Sequence, residues 1–530
     1  MLKKEPLQVL IFIFSLLWIF VVGIDYLNKH PLYALSFEYF EFPKYAAVTL
    51  VSALIYAYLT RLFGSSSRSV AQGVLLLPIL SQITITVLAF KDYSFMATSY
   101  AQCLTLVGRV VLVGLVLLLL SILFSNVGSK FTSYKRVRSV FKSNYYVDIG
   151  VGIIFYTFLL FALGSFGILS SMTVIGALLL MLALRPINFF VLVKKTFLTP
   201  IDFNKINPLG AFLLYLLISY LVINFISVQT PFPDGFDSKN LYINISKLVS
   251  DSGSLVSGFR PYNWSLLMST GFFLYDWVEL VIGLSFYGYI LSMLVLFHLA
   301  TNTLKLKVPE VVFSILLVTV SPAITNQLFI EFKVDYGLLF FQLLSVYFFM
   351  SFLGKGFEMQ SDQIDSRTRF IVFALFTGGF LGFGLGIKMI NLFLVMTLIS
   401  LVWLSKDEVF GFLGALALTI AAMLIARVDT FSGLNDYHLG VGRLKIILLV
   451  CSLVLFGLSY FKNKIAFKRR AVFTILMVFF AGLFLSPWLI KNIVSSENIS
   501  MQSLISGENK GLKMGTQDII KTYQESQKKK

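Results

Sequence analysis

Apolar runs of about twenty residues recur along almost the whole chain, and no other feature restricts its fold so tightly. A helix of that length crosses a hydrocarbon core about 30 Å thick. Lipid offers no partner for a free N–H or C=O, so each run must satisfy its own backbone, as a helix. The expected fold is all-α, a polytopic integral membrane protein with about fifteen transmembrane helices. The runs fall at roughly 7–25, 45–63, 73–90, 99–124, 147–163, 165–185 and 208–228. They resume at roughly 281–304, 310–328, 336–354, 370–387, 389–404, 409–426, 444–461 and 471–490. With 57% hydrophobic and 13% charged residues over 530 positions, a single soluble domain and a β-barrel are both excluded. The 54 phenylalanines read as bulk in contact with lipid.

The net charge is +17. In a soluble chain that would point to nucleic acid; here the cations gather between the apolar runs, where they mark the cytoplasmic side, and no nucleic-acid partner is expected. With the N-terminus in the cytoplasm, loops 125–146 and 462–470 face inward. The first carries Lys130, Lys135, Arg136, Arg138 and Lys142, the second Lys462, Lys464, Lys468, Arg469 and Arg470. Leaving aside the tail and Arg109, about 24 Lys and Arg then face inward against about 11 outward. The same assignment puts loops 229–263 and 329–335, Lys388 and the C-terminal tail outside, in a multi-pass inner (plasma) membrane protein. The first run, Leu7 to Ile24, follows Lys3 and Lys4 but ends in VVGIDYLNKHP, without a small-residue cleavage site, and reads as an uncleaved span. Cys103 and Cys451 lie in apolar runs and read as buried thiols; His30, His298 and His438 are far apart, and no HExxH or CxxC spacing points to zinc.

The character of the chain changes near residue 206. Residues 1–206 are N-terminal transmembrane helices with short or weakly charged external loops, ending in the basic, aromatic stretch 185–207, which suits a linker lying on anionic lipid. Residues 207–491 form a transmembrane core that holds the polar external features, and 492–530 is a polar tail ending in QKKK.

The longest polar interruption is Pro231 to Ser265. Asp234 sits in a Pro-Asp-Gly turn, and Asp237 precedes Leu241, Ile245, Leu248 and Val249, the apolar stripe of a helix lying on the membrane surface. Asp237 has two readings: a carboxylate poised for chemistry at the water–lipid boundary, or the N-cap of that helix. The second cluster, FIEFKVDYG, holds Glu331, Lys333 and Asp335; it is either functional or a self-neutralising group. The hairpin of the 281–304 and 310–328 runs would bring both loops to one mouth. Lys388, in the glycine-rich FGFGLGIKMINLF, either snorkels outward or binds a phosphate. Arg260 and Lys239 add positive charge to the long loop. Trp264 and Trp277 read as interface anchors, and the segment around Asp276 and Glu279 as partly embedded. Arg109 and Asp148 read as buried ion-pair partners, and Asp25 and Asp92 as lower-ranked external carboxylates. SPWLIKN closes the last run, with Pro487 able to kink it and Trp488 and Lys491 anchoring its end.

Four of these stretches together resemble the GT-C superfamily of membrane glycosyltransferases, the protein mannosyltransferase and aminoarabinose transferase type. FDSKNLY at 236–242 is similar to their WDS…Y pattern and FKVDYGLLFF at 332–341 to their K-x-D entry into a span. GLGIKMINLF is similar to their lysine-bearing helix break, and SPWLIKN to their PW-x-x-(K/R)-N. The resemblance covers residues 208–492. It implies a GT-C-like core and transfer of a sugar from a polyprenyl-phosphate carrier to an external acceptor. It makes Asp237 and Asp335 catalytic, and has Glu331, Lys333, Lys388, Arg260 and Tyr242 bind substrate. It also implies a divalent metal, Mg or Mn, on Asp237, Glu331 and Asp335. The rival readings are a transporter or lipid flippase, which would need deep charges and an inverted repeat, and a surface-polysaccharide polymerase or ligase, which would need arginine- and histidine-rich external loops.

Overall fold

A computed structural model describes residues 42–63, 78–85, 99–141, 144–198, 207–228, 241–256, 261–274, 276–321, 324, 333–356, 366–404, 409–425 and 441–495. Among these the regular elements are helices and none is a strand. Eight are long and apolar enough to cross a membrane, nine if Ser171–Ala183 with Pro186–Lys194 makes one bent span, so the chain is a multi-pass membrane protein. The run at 7–25 lies outside the described residues, and that at 73–90 is described only over the helical residues 78–85.

The first helices are α1 (Phe42–Phe63), α2 (Tyr100–Thr132), α3 (Lys135–Arg138), α4 (Tyr145–Ser165), α5 (Ser171–Ala183) and α6 (Pro186–Leu198). Next come α7 (Pro208–Val228), α8 (Ile243–Ser252), α9 (Asn263–Phe273), α10 (Val278–His298) and α11 (Val308–Thr319). The last are α12 (Asp335–Gly356), α13 (Ser366–Ile387), α14 (Leu392–Trp403), α15 (Val409–Ile425), α16 (Val441–Lys462) and α17 (Lys464–Ser495). The basic stretch after residue 185 is helical, as α6.

The helices gather into two compact units, each drawing on segments from both sides of residue 206. The first comprises Met1–Ile122, Pro186–Asn244 and Asp276–Lys333. Its α1 packs on α7 around Ala53, Tyr56, Ala57, Ala211 and Tyr215, and its α10 is tied to α11 by the Tyr289 hydroxyl, which donates to Thr319 Oγ1 at 2.7 Å.

The second unit comprises Leu123–Arg185, Ile245–Tyr275 and Val334–Lys530. Its register follows from its contacts. Phe341, Phe348 and Phe352 of α12 meet Phe383, Phe376 and Phe370 of α13, so those two helices run antiparallel. Gly378 and Gly382 of α13 lie on Met477 and Ala481 of α17, so these run parallel. Glycines four residues apart form one flat ridge, and an added Cβ would sit 2.3 Å from the Met477 carbonyl oxygen at one and 2.2 Å from that of Ala481 at the other. Phe158 and Phe161 of α4 reach Phe383 and Trp488, which sets α4 parallel to both. The bundle therefore has two distinct ends. One gathers the N-termini of α4, α13 and α17, the other the N-terminus of α12 and the C-termini of α13 and α17.

Several expectations need correction. Phe340, Phe341, Phe348, Phe349 and Phe373 are fully buried, so many of the phenylalanines are core and not lipid contact. An aromatic ring supplies the volume that fills a bundle in which every helix is apolar. Trp264 and Trp488 are also fully buried, not interface anchors. The segment at 263–273 is enclosed: all eleven residues of α9 are buried, and a helix about 16 Å long cannot span. The last helix does not stop near Pro487 but continues to Ser495. Proline removes the donor for the carbonyl four residues earlier, and the Ser486 hydroxyl donates to that Leu483 carbonyl at 2.8 Å. Asp148 is buried in α4 and accepts a hydrogen bond from Thr132 Oγ1, whereas Arg109 is exposed on α2. Asp25 and Asp92 lie outside the described residues.

Candidate functional site

At one end of the second unit a helix start faces a helix break. Asp335 is the first residue of α12. Lys388 follows α13 in an extended conformation (φ −155°, ψ 127°), before the short 3-10 turn Met389–Asn391 restarts the helix as α14. Lys388 Nζ donates to Asp335 Oδ1 at 2.8 Å, with side-chain exposures of 37% and 28%. The pair is thus reachable from solvent but not fully hydrated. The other carboxylate oxygen, Asp335 Oδ2, is buried and has no hydrogen-bond partner among the described residues. A buried acceptor with no donor is costly.

The break at Lys388 is held by amides. Asn391 Nδ2 donates to the Leu381 carbonyl at 2.9 Å, and Asn391 Oδ1 accepts from Gln342 Nε2 at 3.1 Å, clamping the turn between α12 and α13. One layer away, Asn263 Nδ2 donates to the Phe383 carbonyl at 3.1 Å and its oxygen accepts from Trp488 Nε1 at 2.6 Å. The Trp264 ring lies against Gly337, where a Cβ would fall 2.1 Å from the indole. Only a glycine two residues into α12 lets that ring seat beside the start of the helix. Lys491 Nζ donates to the Val256 carbonyl at 2.7 Å and lies over the Tyr262 and Trp488 rings, at 5.5 and 5.2 Å from their centroids. The Tyr262 hydroxyl accepts from the Val256 N–H at 2.8 Å, and burial pushes that phenol above its usual range, so it stays a neutral hydroxyl.

Sequence reasoning named Lys388 and Asp335 separately; the fold joins them. It missed Asn263, Gln342 and Asn391. The signal was there, since amides inside apolar runs need partners. The other expected site residues are distributed differently. Asp237, Glu331 and Arg260 lie outside the described residues. Lys333 and Tyr242 belong to the first unit; the Lys333 carbonyl accepts from Ser285 Oγ at 2.9 Å, and Tyr242 is buried just before α8. That helix exists, with Ile245, Ser246 and Val249 buried, and Ser246 Oγ donates to the Ser265 carbonyl at 2.8 Å. Its inner face is therefore packed on protein. Among the described residues no group of three or more His, Cys, Asp or Glu could hold a metal ion, and of the expected metal ligands only Asp335 is described.

Trp488→Phe should strand the buried Asn263 oxygen, at a cost of about 1–3 kcal/mol. The expected result is a lower thermal unfolding midpoint in detergent, partly regained when Asn263→Leu is added. An unchanged midpoint would refute this account of the pair.

The fold and site define a multi-pass helical membrane protein with a half-exposed Lys–Asp pair at one end of a tightly packed bundle. Comparison with protein-family models, curated proteins and solved structures finds no match.

Proposed function

We propose that the chain is a membrane glycosyltransferase with a GT-C-like core, moving a sugar from a polyprenyl-phosphate carrier to an acceptor in the cell envelope. The observation that carries this reading is the Lys388–Asp335 pair. Asp335, Lys388 and Trp488, from three of the stretches behind the family resemblance, lie far apart in sequence yet come to one end of the second unit. Exposed Lys and Arg gather at its opposite end, which favours the plasma membrane with the pair on the external face. About fifteen spans follow if the shorter apolar helices, the bent pair and the runs at 7–25 and 73–90 all cross.

In this reading Asp237 takes the proton from an acceptor hydroxyl. The oxygen attacks the anomeric carbon, the bond from that carbon to the phosphate oxygen breaks, and the phosphate leaves with the electron pair. Lys388, with Arg260, binds the donor and meets the growing phosphate charge. Asp335 fixes the Lys388 ammonium through one oxygen and offers the other to a substrate hydroxyl. The same reading would place a Mg or Mn ion on Asp237, Glu331 and Asp335; of these only Asp335 is described, and among the described residues no group of three or more metal-ligating side chains is found.

The test is transfer from radiolabelled polyprenyl-phosphate sugars by the purified full chain in lipid. Transfer is expected, and should fall about 100-fold in Asp237→Asn. Wild-type transfer by a folded Asp237→Asn protein would remove Asp237 as the base. No transfer by the native protein from any hexosyl or pentosyl donor would overturn the enzyme reading.

A further inference from the structure

The opposite end of the second unit carries a feature that the proposed chemistry does not use. The N-termini of α4, α13 and α17 gather there, and α3 packs against α13. Lys135, Arg136 and Arg138 of α3 are exposed, and so are Lys464, Lys468 and Arg469 at the start of α17. The register derived above sets these two clusters, more than 300 residues apart in sequence, at one end of one bundle. The Arg185 guanidinium, donating to Ser129 Oγ at 3.2 Å, brings the end of α5 to the same place. Among the described residues at this end the one carboxylate, Asp148, is buried on Thr132.

The cations are interleaved with exposed apolar and aromatic groups. Phe131 and Tyr134 flank the first cluster at 46% and 62% exposure; Phe461 and Ile465 flank the second at 86% and 70%. Lys464 also lies 5.6 Å from the Tyr460 ring centroid. Aromatic rings beside lysines at the ends of membrane-length helices sit at headgroup depth. A surface built to bind a soluble acidic partner would have no reason to leave such rings bare.

We propose that these two clusters form one binding surface for anionic phospholipid headgroups. The rings and aliphatic stems lie among the acyl chains, and the ammonium and guanidinium groups take the phosphates. The surface would hold the second unit at a fixed depth in the leaflet remote from the Lys388–Asp335 pair. The proposal does not depend on the transferase reading.

Native mass spectrometry of the full chain in mixed micelles of phosphatidylglycerol and phosphatidylcholine tests this. Retained lipid should be enriched in phosphatidylglycerol, and the enrichment should fade between 50 and about 500 mM salt as the charges are screened. Each cation near a charged surface contributes about a fivefold preference. The triple variants K135Q/R136Q/R138Q and K464Q/K468Q/R469Q should therefore each lower the enrichment by one to two orders of magnitude. Lys247→Gln, at the other end of the unit, should leave it unchanged. Equal retention of the two lipids by the native protein would overturn the proposal. So would a salt-independent preference, unchanged enrichment in both triple variants, or an equal loss in Lys247→Gln. Because the salt series uses the native chain, it decides the matter even if a triple variant does not fold.

Discussion

Asp335→Asn is expected to lower sugar transfer about 1000-fold while leaving the protein folded. The substitution keeps the shape of the side chain and removes its charge. It loosens Lys388, which then no longer faces the leaving phosphate from a fixed position. The effect on folding is expected to be small, because the ion pair is 37% and 28% exposed and water screens it. A double-mutant cycle on Asp335 and Lys388 should give a stability coupling of about 1 kcal/mol or less. The charge swap, Asp335→Lys with Lys388→Asp, separates structure from chemistry. It should restore the pair and the unfolding midpoint but not transfer. If Asp335→Asn transfers sugar like the native protein, the pair is only a clasp between two helices, and the catalytic reading fails.

The largest loss of stability is expected from Gly382→Val. A Cβ at this position would lie 2.2 Å from the Ala481 carbonyl oxygen and 2.8 Å from its carbonyl carbon and Cα. These are backbone atoms of α17 and cannot rotate away. The contact with Gly378 on Met477 lies one turn earlier on the same ridge, so α13 and α17 must separate along their whole seam. Overpacking costs about 3 kcal/mol even where side chains can adjust, and more is expected here. The break after α13 moves with that helix, so Lys388 leaves Asp335 and activity falls too. Gly482, on α17, provides the control, since a Cβ there meets nothing within 4 Å. Gly482→Ala should leave the midpoint unchanged or raise it slightly, because alanine is the better helix former. Equal midpoints for Gly382→Val and Gly482→Ala would refute the close seam.

The helices were largely legible in the chain. The run expected at 208–228 is α7 (Pro208–Val228), that at 336–354 lies within α12, and that at 370–387 within α13. The strong break at Lys388 is also where α13 ends. Hydropathy and backbone satisfaction are local properties, so a window of twenty residues contains them. The facing of those helices was not legible. α12 and α13 are apolar on every side, so no stripe says which phenylalanines turn inward and which meet lipid. Trp264 and Trp488 misled for the same reason. A tryptophan at the end of an apolar run looks like an interface anchor, and only packing against Gly337, Asn263 and Tyr262 shows it enclosed.

The site divides along the same line. Charge expense, the glycine-rich break and the family resemblance singled out Asp335 and Lys388 in the sequence. That the two touch depends on α12 running antiparallel to α13, a pairing in which rings from the two helices interlock. The amides that hold the break, Asn391 and Gln342, were not singled out in the sequence, and only the fold pairs them. By itself, then, the sequence determined that the chain is a bundle of membrane helices with a charged break near its polar loops. The tertiary structure decided which faces are core, how the helices run, and that the break closes on Asp335. The physical reason is range: solvation acts on each residue where it stands, whereas close packing and buried hydrogen bonds exist only between partners that the fold has brought together.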